Sequence, residues 1–144
     1  MIREAIASDI PEIVALGRKF LLEGPYKNEL GDNPEQTAAL TLEVIKEKGK
    51  VLVLEEDSAI RGVLGFILFP HYFSGEITAG ELIWYVEPEF RIGCPALKLM
   101  WEAENIAKSL GAKRMQFTAP SDDVAALYQR FGYKAVETTF QKVL

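Results

Sequence analysis

Between Glu81 and Ala96 the chain carries residue types that can hold an anion at the end of a strand. The stretch reads Glu81-Leu82-Ile83-Trp84-Tyr85-Val86-Glu87-Pro88-Glu89-Phe90-Arg91-Ile92-Gly93-Cys94-Pro95-Ala96. An apolar strand-like run gives way to a turn of small residues, and a long helix begins. The first N–H groups of a helix have no partner, and the helix dipole adds partial positive charge, so such a joint attracts phosphate. Small side chains let a phosphate approach the backbone, and Arg91 adds a fixed positive charge. The same residues also make an ordinary turn and helix start, and residue types alone do not separate the two readings. Cys94 is the only cysteine and reads as a small space-filler. No histidine or second cysteine stands beside it to activate it as a nucleophile, and a single cysteine excludes an internal disulfide or a cysteine-cluster zinc site.

The elements that must position this stretch follow from periodicity. Ile2 to Ile6 reads as a short strand, and Asp9-Ile10-Pro11-Glu12 as a capping box opening a helix that Gly24-Pro25 ends. Asn33-Pro34-Glu35-Gln36 starts a second helix, expected to run to Lys48. Val51–Glu55 and Val63–Phe69 read as a hairpin around Glu56-Asp57-Ser58, and Glu81–Val86 as the next strand. Ala96, Leu99, Met100, Ala103, Ile106, Ala107 and Leu110 form one apolar helix face, which Gly111 terminates. Arg114–Thr118 reads as a strand, Asp122–Phe131 as a short helix, and Ala135–Val143 as extended chain in one or two strands. The expected fold class is α/β, of the α+β mixed-sheet kind. Antiparallel hairpins come first, a parallel β-α-β crossover follows, and about four helices flank the sheet in one domain over residues 1–144.

Composition sets outer limits. Hydrophobic residues make up 49% and charged residues 26%, enough apolar material for a real core. No apolar run reaches the roughly 18 residues of a membrane span, and the start lacks a signal-peptide pattern, so no membrane role and a cytoplasmic location are expected. A net charge of -5 argues against a nucleic-acid surface.

Arg91-Ile92-Gly93-Cys94-Pro95-Ala96 resembles the acetyl-CoA motif R/Q-x-x-G-x-G/A of the GNAT acyltransferase superfamily. Ile2-Arg3-Glu4-Ala5 with Asp9-Ile10-Pro11 resembles the opening strand and helix of that family, and Val86-Glu87-Pro88-Glu89 the strand end before the motif. Leu127-Tyr128-Gln129-Arg130-Phe131-Gly132-Tyr133 resembles its late L-Y-x-x-x-G-F/Y motif. With little chain after Tyr133, the short form is similar to GNAT proteins often carried by phages. Two positions depart from the pattern. Cys94 stands where the family prefers glycine, and Pro95 has no N–H to give. Losing one charge-assisted hydrogen bond, about 1.5–3 kcal/mol, corresponds to roughly 10- to 100-fold in affinity.

The resemblance implies the GNAT fold and acetyl-CoA as cosubstrate, with no metal. It implies transfer of the acetyl group to a primary amine by direct attack in a ternary complex. Backbone groups of Trp84, Tyr85 and Val86 would pair with the pantetheine arm as an added strand does. Arg91 and the amides of Ile92, Gly93, Cys94, Ala96 and Leu97 would hold the pyrophosphate. Ser121 falls where many relatives have a cofactor-contacting Asn, and it equally suits a helix N-cap. Tyr128 would protonate the departing thiolate, and the Val86 N–H would face the oxyanion. Glu81 is the base candidate, acting through water, with burial beside Leu82 and Trp84 raising its pKa. His71, the only histidine, is the second candidate. The acceptor, a small-molecule or peptide amine, would sit between Pro25–Glu29 and Pro70–Phe73. Family members often dimerise, so a homodimer is an expectation. The alternative is a catalytically inactive CoA-binding or protein-interaction module of the same fold.

Overall fold

The structure, a computed structural model, describes residues 1–144. Five strands form one sheet in sequential order: β1 Ile2–Glu4, β2 Gly49–Glu56, β3 Ala59–Pro70, β4 Ile77–Val86 and β5 Arg114–Gln116. The first four pair antiparallel, and β4 pairs with β5 in parallel. Four α-helices cover the sheet: α1 Ile10–Glu23, α2 Pro34–Glu43, α3 Pro95–Ser109 and α4 Asp122–Arg130. The mixed sheet and the order of elements through α4 match the expectation from sequence.

Local chemistry explains the joints. Asp57 and Ser58 both have positive φ, at 53° and 59°, the geometry a two-residue hairpin turn requires. Asn33 Oδ1 accepts the Gln36 N–H at 3.1 Å and caps α2, and one π-turn over Val44–Lys48 carries the helical path to Lys48. Asp9 and Glu12 do not form the expected capping box. The Asp9 carboxylate accepts two bonds from Arg3 and one from the Ile6 N–H, while Glu12 accepts the Ile60 N–H at 2.9 Å. Both carboxylates tie α1 to the sheet instead of to its own first turn.

The sheet buries both faces. Leu52, Leu54, Leu64, Phe66 and Val86 pack against Leu99, Met100, Ala103 and Ala107 of α3 and against Tyr128 of α4. Val51, Val53, Val63 and Tyr85 pack on the other face against Ile13 and Leu16 of α1 and against Val44. β5 ends at Gln116, shorter than expected. The expected strand over Ala135–Val143 does not form: this stretch pairs with no strand, and Val136 and Phe140 are exposed. A strand needs a partner edge as well as β-branched residues, and none meets the chain after Tyr133.

Candidate functional site

The site lies where β4 and β5 part. Their parallel ladder covers only Thr78–Gly80 against Arg114–Gln116. Beyond Gly80, β4 continues six residues to Val86 without its neighbour. The Glu87 N–H donates to the Arg61 carbonyl of β3 at 2.8 Å. In an antiparallel ladder the groups alternate edges, so Val86 and Trp84 turn their N–H and C=O away from β3, into the gap. Tyr85 lies opposite Val63 and spends its backbone on that ladder, unlike the expectation that it would offer backbone to a ligand.

A bulge sets the side chains. Gly65 pairs with Ile83 and Phe66 with Glu81, leaving Leu82 as the extra residue. Side chains alternate along a strand, so residues three apart normally face opposite ways; the bulge restores them to one face. Glu81 and Trp84 therefore share the α3–α4 face. Both line a cavity of 710 Å³ together with Tyr85, Val86, Arg91, Gly93, Ala96, Leu97, Ser121 and Tyr128.

Glu81 Oε2 accepts the Thr118 N–H at 3.1 Å. Burial pushes the carboxyl up to about 7, and the Thr118 bond offsets part of that rise. Tyr128 is buried within an aromatic group, its ring 5.9 Å from Trp84 and 5.2 Å from Phe117. Burial, and next the Glu81 charge, raise its phenol well above the ordinary tyrosine value, so it stays protonated at neutral pH. Tyr133, also 5.9 Å from Tyr128, is held by a 2.6 Å bond from its hydroxyl to Glu104.

The turn before α3 has the expected shape. Gly93 has φ +85°, a conformation that side chains disfavour, and Pro95 takes the first helical position. The amides of Ile92, Gly93, Cys94, Ala96 and Leu97 have no acceptor within the chain. Five N–H groups are thus left unpaired around one turn. They can receive a phosphate, and the 710 Å³ cavity opens beside them, lined by Gly93, Ala96 and Leu97. Ile92 and Cys94 are exposed, so Cys94 does not fill space as its type suggests. Ser121 Oγ caps α4 by accepting the Val124 N–H at 3.4 Å while also lining the cavity.

Arg91 is engaged within the chain. Its Nε donates to the Val86 carbonyl at 2.6 Å and its Nη2 to Glu23 Oε2 at 2.9 Å, with the guanidinium 5.2 Å from the Tyr85 ring centroid. Glu23 also accepts the Tyr85 hydroxyl at 2.6 Å, and these two donors, tyrosine first, hold its carboxyl below the usual range. Sequence reasoning missed Glu23 and Phe20, which line the same cavity from the end of α1. Pro25 lines it as well. Of the second expected acceptor segment, none does: His71 turns its Nδ1 to the Phe73 N–H, and Tyr72 and Phe73 project outward.

No group of acidic, histidine or cysteine side chains is arranged to hold a metal, and no helix is long and apolar enough to cross a membrane.

Comparison with known proteins agrees with this fold. A family model described as the acetyltransferase (GNAT) family matches residues 19–133. No curated protein matches. Among solved structures, one described as a predicted acetyltransferase with acetyl-CoA from Clostridium acetobutylicum superposes with a TM-score of 0.82 at 18% identity, covering 99% of this chain and 95% of that one. The ribosomal-protein-alanine N-acetyltransferase of Brucella melitensis biovar Abortus 2308 gives 0.79 at 16%, covering 100% and 98%. An aminoglycoside acetyltransferase from an uncultured soil metagenomic sample, in complex with sisomicin, gives 0.77 at 19%, covering 100% and 96%. At these identities the structures speak for the fold.

Proposed function

From the premise that the chain belongs to the GNAT acetyltransferase family, we propose that it transfers an acetyl group from acetyl-CoA directly to a primary amine. The observation that carries this reading is the shared cavity. A carboxyl tuned to about 7, a protonated phenol and an unpaired backbone N–H line one space beside a turn of free amides.

In this reading the five amides of the turn hold the cosubstrate's pyrophosphate. The backbone edge of Trp84 and Val86 receives its pantetheine arm as a neighbouring strand would be received. Trp84 and Leu97 wall the arm from water. Glu81, half ionised near pH 7, takes the proton of the acceptor amine, through a water where contact is not direct. The Val86 N–H faces the oxygen on which negative charge develops as nitrogen attacks the thioester carbon. The C–S bond breaks, and Tyr128 delivers its proton to the sulfur. The amine loses one proton and the thiolate gains one, so the exchange balances without a covalent enzyme intermediate.

Calorimetric titration with acetyl-CoA tests the first half. Saturable binding is expected, and none at millimolar concentration overturns the proposal. Thiol release across an amine panel tests the second half. A second reading, an inactive CoA-binding module, is favoured by Pro95, which removes one amide from the turn. Cofactor binding with no turnover on any amine would establish that reading instead.

A further inference from the structure

Arg91 occupies two places that acetyl-CoA binding would disturb. Its Nε bond covers the Val86 carbonyl, one of the backbone groups left over for the pantetheine arm. Its side chain stems from the turn whose free amides would face the pyrophosphate. Resting on the reading above, an incoming cosubstrate therefore displaces Arg91 from Val86 and offers it a stronger anion than a carboxylate. The partner left behind is Glu23, which keeps only the Tyr85 hydroxyl.

The charge of the cavity then changes. Its charged lining is Glu23, Glu81 and Arg91. With Arg91 turned to the phosphates, two carboxylates and no cation remain in the lining; Lys19, whose charge also acts on Glu23, lies outside it and is paired to Glu87. Phe20 lies edge-on to Tyr85 at 6.4 Å, an apolar wall beside Glu23. We propose that Arg91 is a switch between Glu23 and the acetyl-CoA phosphates, and that the released Glu23 binds a second positive charge on the acceptor. The acceptor class is thus a diamine or polyamine: one amine reacts beside Glu81 while another cationic group rests on Glu23. Binding is ordered as a consequence, cosubstrate first, because the cation subsite does not exist until Arg91 leaves.

Titration of acetyl-CoA into the wild-type protein and into Glu23→Gln separates the possibilities. The half-exposed Glu23–Arg91 pair holds Arg91 back by an amount typical of such pairs, so E23Q is expected to bind acetyl-CoA roughly two- to five-fold more tightly. A residue that merely braces the fold would weaken binding when replaced. In steady-state assays, the ratio of kcat/KM for a diamine over a monoamine of equal length should fall about ten-fold or more in E23Q, as expected when a charge-assisted contact is lost, and recover in Glu23→Asp. In Arg91→Ala, which frees Glu23 without cosubstrate, the diamine should bind the protein alone, where the wild type requires CoA to be present. Unchanged or weaker acetyl-CoA binding in E23Q, a diamine preference that persists in it, or diamine binding to the wild type without CoA overturns the switch. Failure of the wild type to bind acetyl-CoA at all would overturn the underlying reading instead.

Discussion

The Glu81 carboxylate accepts the Thr118 N–H at 3.1 Å, two residues beyond the last ladder position of β5. Glu81 directly follows Gly80, the last β4 residue paired to β5. A side chain thus takes over as acceptor where the backbone ladder ends. The two strands stay joined at the root of the gap while Trp84 and Val86 open into it. The same bond holds the carboxyl in a partly buried place, where desolvation disfavours its charge.

That position sets a pH dependence. Glu81 ionises near 7 against an ordinary value of 4.5. As a base it works when ionised, so kcat/KM for acetyl transfer should rise with pH through about 7 and level off above. Glu81→Gln should lose about 100-fold or more and the inflection with it, read from a pH–rate profile at saturating acetyl-CoA. Stability moves the opposite way. Between about 4.5 and about 7 the folded state holds a proton the unfolded chain has released, so folding weakens as pH rises through this window. E81Q should accordingly gain more melting temperature over the wild type at pH 8 than at pH 5.

Tyr128→Phe separates proton delivery from binding. The ring packs against Trp84 and Phe117, and the phenylalanine ring keeps those contacts. The hydroxyl has no protein partner to lose. Turnover should fall about 100-fold or more, with acetyl-CoA affinity within a few-fold of wild type by calorimetry. Unchanged turnover would remove Tyr128 from the role of acid.

Much of this was legible from local pattern, and the rest was not for identifiable reasons. The α3 face, its Gly111 stop and the Gly93 turn depend on residues within a few positions of one another. The shared face of Glu81 and Trp84 depends on the bulge at Leu82, which reverses the alternation a sequence reader counts by. Glu23 was invisible because its partners, Tyr85 and Arg91, lie 62 and 68 residues away. Its only local signature is a place at the end of α1 before Gly24. The stretch after Tyr133 has strand-like residues but meets no sheet edge, so its composition promised what its surroundings do not supply.

Asp9 anchors β1 to α1 and should govern stability without touching the cavity. It is 7% exposed, accepts bonds from Arg3 at 2.7 and 3.0 Å, and also accepts the Ile6 N–H at 2.8 Å. The Arg3 bonds lead in holding its carboxyl below the ordinary range. Its contribution is present above the unfolded carboxylate value and is lost as pH falls through the lower folded one. Asp9→Ala should cost about 2–4 kcal/mol at pH 7 by urea unfolding, and less at pH 3. Acetyl-CoA affinity of the folded variant should match wild type.

Pro95→Ala tests the turn itself. Pro95 stands at the first position of α3, where an N–H has no helical acceptor, so alanine supplies a donor without breaking a bond. Proline stiffens the unfolded chain while alanine favours helix, and stability should change by less than about 1 kcal/mol. If the pyrophosphate rests on these amides, the added N–H can join the other five. Acetyl-CoA should then bind more tightly by roughly ten-fold or more, the gain of one charge-assisted hydrogen bond. Binding should tighten for CoA and acetyl-CoA alike, because the contact is to the phosphates and not to the acyl group. A gain confined to acetyl-CoA, or a loss for both ligands, would place the pyrophosphate elsewhere than on the start of α3.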